Sequence, residues 1–211
     1  MSTSWDDQYK AHWEKRYSEE NFAYGKAPNS FFKQQLDKLN PGHILMPAGG
    51  EGRNGVYAAT KGWKVTAFDL SKSGKEKALQ LANSQQTTIE YLVADLEELE
   101  FPPESFDAIA LIYAHFSPAK KQAFHQKLLR FLKPGGHLIL EAFSKDHLEY
   151  RTQNPAVGGP QSLEMLYSLE ELKTDFEQVE FHYAKEEVIE LSEGEYHKGK
   201  GAVVRLVGVK N

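Results

Sequence analysis

The chain has 211 residues, no cysteine, 40% hydrophobic and 26% charged residues, and a formal net charge of −5. That length is most simply one domain spanning 1–211, large enough to bury a core. The missing cysteines exclude disulfides, thiolate zinc sites and a cysteine nucleophile, and the acidic balance argues against a nucleic-acid partner. MSTSWDDQYK lacks the apolar core of a signal peptide, and no apolar run reaches the roughly 18 residues of a membrane span. The expectation is a cytoplasmic protein without a membrane partner.

Residues 1–28 are polar but studded with Trp5, Tyr9, Trp13, Tyr17, Phe22 and Tyr24. They read either as a docked helix with a loop or as a flap, with Tyr24-Gly25 crossing a ligand crevice. Ser30 to Leu39 has helical apolar spacing and is stopped by Asn40-Pro41-Gly42. Ile44–Met46 reads as a strand, Ala48–Gly52 as a glycine-rich turn, the following residues as a helix of nearly four turns, and Lys64–Phe68 as a strand ending on Asp69. Ser71 caps a helix to about Asn83. Thr88–Ala94 is strand-like and ends on Asp95-Leu96.

Phe106–Tyr113 is apolar almost throughout, as a strand buried on both faces should be. Ser117-Pro118 is a good helix start, and that helix stops at Lys133-Pro134-Gly135-Gly136. His137–Phe143 is the next strand. Alternation with crossovers too long for hairpins means βαβ units, a parallel sheet and right-handed connections. Residues 144–167 have no clear period. Ser168-Leu-Glu-Glu171 reads as a capping box opening a short helix. Val179–Leu191 and Ala202–Val209 read as an edge hairpin joined by SEGEYHKGKG.

The chemistry concentrates between His43 and Ser71. Glycines let backbone approach a ligand and free the N–H groups at a helix start, and an acid closing the next strand can accept hydrogen bonds from ribose hydroxyls. Gly50-Glu51-Gly52-Arg53-Asn54-Gly55 matches G-x-G-x-x-G, with Asp69 near the offset expected for NAD. Against a dinucleotide, Pro47-Ala48-Gly49 separates the strand from the first glycine of the match, and Glu51 would oppose a pyrophosphate. A ligand with a ribose, no phosphate and a positive centre fits better, and S-adenosylmethionine (SAM) is one.

Motif by motif the chain resembles a class I SAM-dependent methyltransferase of the tellurite-resistance and thiopurine-methyltransferase-like small-molecule branch. Ala48-Gly49-Gly50-Glu51-Gly52 is similar to that family's first motif, VTAFDLS to its acidic ribose motif, and VADLEELEFPPESFDAI to its adenine motif and fourth strand. LLRFLKPGGHLIL resembles its entry to strand five, and WEKRYSEENFAYGKAPNSFF the N-terminal cap. The resemblance implies a doubly wound seven-stranded α/β sheet in the order 3-2-1-4-5-7-6, with strand seven antiparallel. It implies Asp69 on the ribose hydroxyls, Leu70 against the adenine, Asp95 and Leu96 on the adenine edge, Gly50 and Gly52 along the methionine portion, and Tyr113 facing the sulfonium. Tyr24, Gly25, Ala48, Gly49, Asn54, Ser71 and Ala94 complete the cofactor shell so implied. The chain departs from the pattern at Met46, where an acid is usual, and at Ala48, where glycine is usual; Ala48 is expected to keep a negative φ or to shift the loop.

Methyl transfer to a small-molecule acceptor is in-line and depends on alignment and desolvation of the nucleophile. A thiolate or oxyanion needs no base, whereas a hydroxyl does. His115, two residues past Tyr113, is the best-placed base. His197 becomes a second candidate if Val179–Leu191 runs parallel to the main sheet, which would bring the hairpin turn to the ligand side. Arg151 could meet an anionic substrate. No histidine spacing suggests a metal. Residues 144–167 are expected to carry acceptor specificity, the rival functions are an NAD-dependent oxidoreductase and a non-catalytic SAM- or nucleotide-binding module, and the chain is expected to be a monomer or homodimer.

Overall fold

The computed structural model describes residues 4–211; residues 1–3, the first part of the expected N-terminal cap, lie outside the described residues. Helices are α1 (Trp5–Tyr17), α2 (Ser30–Leu36), α3 (Arg53–Thr60), α4 (Lys72–Ser84), α5 (Lys121–Phe131), α6 (His147–Gln153) and α7 (Leu169–Asp175). Strands are β1 (His43–Pro47), β2 (Lys64–Asp69), β3 (Glu90–Val93), β4 (Phe106–Ile112), β5 (Leu132–Phe143), β6 (Val179–Glu193) and β7 (His197–Lys210). They form one sheet in the order β3-β2-β1-β4-β5-β7-β6, with β7 antiparallel to both neighbours and the pairings from β3 through β5 parallel. This is the expected doubly wound methyltransferase topology.

The central strands are covered on both faces, so β1 and β4 are apolar on both sides, whereas the edge strand β6 leaves many residues exposed. Along β1, Ile44 and Met46 enter the cluster that includes Phe32 of α2, Val56 of α3 and Leu81 of α4. Leu45 points the other way, to Leu128 of α5 and Leu172 of α7. Met46 is therefore a core residue, and its position offers a bound ligand no charge. The chain goes from β1 to β2 on one side and returns to β4 on the other, opening a crevice at the carboxyl ends of β1 and β4.

Several boundaries differ from expectation, each for a local reason. The helix α3 has eight residues and not nearly four turns, because it begins only after left-handed Gly52 and is closed by left-handed Gly62. Ser117 does not cap α5: its carbonyl accepts the N–H groups of Lys120 and Lys121 in a turn that precedes the helix. Lys133–Gly136 fall inside β5 and do not form a loop. Most of the glycine-rich SEGEYHKGKG is strand, since pairing continues out to Glu193 opposite His197. Ser168 caps α7 through its Oγ, but the Glu171 carboxylate turns away to Lys121 and Lys145, so the capping box is half made. Residues 144–167 carry α6 and two 3₁₀ turns, Pro155–Val157 and Leu163–Met165.

Helix α1 lies over the carboxyl ends of the strands and is held there by polar tethers. Glu14 accepts from the hydroxyls of Ser71 and Ser73, each at 2.6 Å, at the start of α4, where a carboxylate meets the positive end of the helix dipole. Glu51 accepts Ala23 N–H at 2.8 Å and pairs with Lys77 at 2.9 Å, anchoring the strap that follows α1. Asn29 N–H donates to Asn54 Oδ1 at 2.8 Å.

Helices α5 and α7 are joined across the other face by a buried pair, His125 Nδ1 to Asp175 at 2.7 Å, exposed only 1% and 4%. Removing one member of a buried pair strands the other. Asp175→Ala should cost about 3 kcal/mol in urea unfolding, with the slope unchanged; a loss below about 1 kcal/mol would show that the pair is incidental.

Candidate active site

The crevice is a cavity of about 730 Å³, within the range of small-molecule sites. One wall is the turn after β1. Gly49 N–H donates to Phe68 O and Gly52 N–H to Gly49 O, each at 2.9 Å, folding the turn against the end of β2. Gly50 takes φ +52° and approaches Tyr17 so closely that a Cβ there would sit 2.8 Å from the Tyr17 hydroxyl. Ala48 has φ +50°. Of the two expected alternatives, a negative φ or a shifted loop, the negative φ is not the one found: alanine occupies a left-handed position that glycine would fill without strain, at a cost of roughly 1–2 kcal/mol.

Asp69, at the end of β2, faces this turn. Its Oδ2 accepts Gly50 N–H and its Oδ1 accepts Ser71 N–H, both at 3.0 Å. The two oxygens together can accept about four hydrogen bonds, so with Gly50, Ser71 and Leu70 N–H beside it the carboxylate keeps at least one lone pair. Burial raises its pKa to about 6, against the lowering effect of the Ser71, Gly50 and Leu70 N–H groups. Ala94 N–H donates to Asp69 O at 3.1 Å, which carries the wall on to Asp95 and Leu96. The Asp95 carboxylate accepts Glu97 N–H at 2.9 Å in an Asx turn and also lines the cavity.

Of the residues implied for the cofactor shell, Tyr24, Ala48, Gly49, Gly50, Asn54, Asp69, Leu70, Ala94, Asp95, Leu96 and Tyr113 line the cavity. Gly25, Gly52 and Ser71 do not. Gly52 is spent on packing, since a Cβ there would lie 2.5 Å from that of Ala78 in α4. Gly25 packs toward Gly194, and Ser71 caps α4, accepting Gly74 N–H at 2.9 Å.

His115, His197 and Arg151 all line the cavity. His115 is fully committed to backbone: Phe143 N–H donates to Nε2 at 3.3 Å, so Nδ1–H donates to Met165 O at 2.9 Å. Burial lowers its pKa to about 4. With both nitrogens engaged it has no free lone pair for a substrate proton, and its geometry is that of a strut between β5 and the 144–167 segment.

His197 is differently placed. The strand β6 runs parallel to the main sheet, so the turn Gly194–Tyr196 reaches the ligand side and His197 starts β7 there, 3% exposed. Its Nδ1 is 3.1 Å from Glu193 Oε2, and among the described residues no hydrogen bond occupies Nε2. Its ring lies 4.6 Å from that of Tyr113 and 4.5 Å from that of Tyr24. Burial lowers its pKa, with Glu193 opposing. Burial alone would raise the Glu193 carboxyl, but His197 and Arg53 bring it to about 2. Arg53 donates to Glu193 Oε2 at 2.8 Å and Asn29 to Oε1 at 2.9 Å.

The sequence reading missed two groups. Glu193 lies in a run that looked like a hairpin tip. Helix α1 also contributes Trp5, Asp6, Tyr9, His12, Trp13, Arg16 and Tyr17 to the lining. The available signal was spacing: Trp5, Tyr9, Trp13 and Tyr17 recur every four residues on one helical face, and their rings follow one another at 4.7, 6.0 and 5.4 Å, the first and last pairs stacked and the middle pair edge to face. Tyr9 also donates to His115 O at 2.7 Å.

Residues 44–136 match the family model described as a methyltransferase domain. The chain is 32% identical over 107 residues to 2-methyl-6-phytyl-1,4-hydroquinone methyltransferase of Synechocystis, a match covering 50% of this chain and 33% of that protein. The match thus spans about a third of that relative's length. A solved structure described as "Conversion of a Disulfide Bond into a Thioacetal Group during Echinomycin Biosynthesis" superimposes with TM-score 0.75 at 18% identity, covering 97% of this chain and 92% of that one. TehB from Haemophilus influenzae superimposes with TM-score 0.70 at 17% identity, covering 96% and 67%. At these identities the likeness is one of fold, the Rossmann-like methyltransferase fold.

The geometry sets two expectations. Asp69 is ionised above about pH 6 and accepts best in that form, so affinity for S-adenosylhomocysteine measured by calorimetry should fall as pH drops through that value. Asp69→Ala should weaken binding about 10- to 100-fold and flatten the pH dependence; unchanged affinity would place the ribose elsewhere. Ala48→Gly should raise unfolding stability by about 0.5–1 kcal/mol, the relieved strain less the added chain entropy; a destabilised variant would mean the turn is relaxed as it stands.

Proposed function

We propose that this chain is a SAM-dependent methyltransferase acting on a small molecule, with a thiol or an oxyanion as acceptor. One observation carries the reading: a buried carboxylate with acceptor capacity left over faces a tight glycine turn, at the carboxyl ends of parallel strands, inside a cavity walled by aromatic rings. Asp69 would hold the ribose, Leu70, Asp95 and Leu96 the adenine, and Gly49, Gly50 and Asn54 the methionine portion. SAM supplies an electrophilic methyl group on a positively charged sulfur. The chain's own part is to align the acceptor, exclude water with α1 and its strap, and take up a proton where the acceptor brings one.

His197 and Glu193 suit that last task. Glu193, fixed by Arg53 and Asn29, orients the imidazole and supports its charged form, leaving Nε2 to accept a proton from a hydroxyl and so create the oxyanion in place. Glu193 is a positioning residue acting through His197. The name of the Synechocystis relative favours a phenolic ring as the acceptor that would need such help. The tellurite-resistance and thiopurine-type branch, in which acceptors are soft, is supported by the aromatic segment closing the pocket, and there the histidine would be dispensable.

Calorimetry with S-adenosylhomocysteine and with NAD tests the reading at its root, and binding of NAD alone would end it. Binding of S-adenosylhomocysteine without methyl transfer to a panel of thiols, phenols and oxyanions would leave a non-catalytic module. For a hydroxyl acceptor, His197→Gln should lower kcat by about 10²- to 10⁴-fold with cofactor affinity held within twofold. In Glu193→Gln the acid limb of the kcat/KM profile should move to lower pH, since the lost carboxylate stabilised protonated His197. An unmoved limb would remove the pair from proton transfer.

A further inference from the structure

The chain has five arginines. Three are paired with carboxylates: Arg53 with Glu193, Arg130 with Glu100, and Arg205 with Glu141 and Glu187. The other two, Arg16 in the last turn of α1 and Arg151 in the last turn of α6, make no ion pair among the described residues, and both line the cavity. Each is half-buried. They come from segments far apart in sequence, and they lie near enough that the Arg16 charge, after burial, holds the Arg151 guanidinium below its usual range. Two like charges partly removed from water, without a counter-ion, are an unfavourable arrangement that an anion would relieve.

The Arg16 guanidinium rests over the Tyr196 ring at 3.6 Å. Stacking fixes the plane of the fork and leaves its N–H edges to donate. We propose that Arg16 and Arg151 form a clamp for a carboxylate carried by the methyl acceptor. A flat, singly charged group matches two guanidinium forks, whereas a dianionic phosphate would also face Asp6, Asp69 and Asp95 in the same cavity. From the clamp, aromatic rings lead inward to the base: Tyr196 to Tyr24 at 6.2 Å and Tyr24 to His197 at 4.5 Å. The acceptor is therefore an acid whose nucleophilic atom is separated from its carboxylate by a ring or a short chain, a hydroxy or mercapto acid. Which end reacts rests on the SAM reading above; the clamp itself does not.

The test titrates benzoate, 3-phenylpropionate and hexanoate, each beside its uncharged amide, into wild-type protein, Arg16→Gln and Arg151→Gln, with and without saturating S-adenosylhomocysteine. At least one carboxylate should bind wild type tenfold or more tightly than its amide, and that preference should vanish in both variants. Affinity for S-adenosylhomocysteine should stay within twofold in all three proteins. No preference for any acid over its amide, with cofactor binding intact, overturns the clamp. A tenfold loss of S-adenosylhomocysteine affinity in the variants overturns it as well, because the arginines would then hold the cofactor's own carboxylate. A carboxylate preference that disappears in the variants of a protein that never binds S-adenosylhomocysteine would support the clamp and sink the cofactor reading instead.

Discussion

The Asp69 carboxylate is the constraint on which the rest of the site depends. It ties the turn after β1 to the entry of α4 by accepting Gly50 and Ser71 N–H at 3.0 Å. Burial makes its charge expensive, which is why its pKa stands near 6, and the backbone donors offset only part of that cost. The turn it grips is itself strained, with Ala48 held at φ +50°. Costs concentrated in one place in this way are characteristic of a functional site that the surrounding structure holds in position.

The cover over the site follows another logic. Helix α1 leaves Trp5 43% exposed and sends only Tyr17 into the core, so apolar burial alone does not hold it. Glu14 on the start of α4 and Glu51 on the strap replace a hydrophobic seam with charge-assisted hydrogen bonds. Such tethers can open without exposing a core, and low-stability elements of this kind suit a segment lying over a binding site. Its inner face is nonetheless a ladder of aromatic rings, which offers a flat ligand contact area and polar tips together.

The far end of the cavity is built by the last two strands. The edge hairpin carries Glu193, Tyr196 and His197 to the same level as Asp69, since β6 runs parallel to the strands that end there. His115 and His197 share a cavity and a residue type yet differ in use. His115 spends both nitrogens on backbone, whereas His197 spends one on a carboxylate.

The order of strands and helices up to Phe143 was legible because buried parallel strands are continuous apolar runs, and Ser71 marks the start of α4 as its cap. Asp69 and the glycine turn were legible for a similar reason: each is a local feature whose chemistry follows from its place at a strand end. Helix ends at Thr60 and Lys121 were less so, because left-handed glycines and a turn through Ser117 decided them. What only the tertiary structure decided is which side chains share the cavity. Arg16 and Arg151, or Trp13 and Tyr113, lie far apart in the chain, and no periodicity connects them. Likewise, whether a histidine's nitrogens are free or already bonded depends on backbone groups brought from other elements, which is why His115 and His197 could not be told apart until the chain was folded.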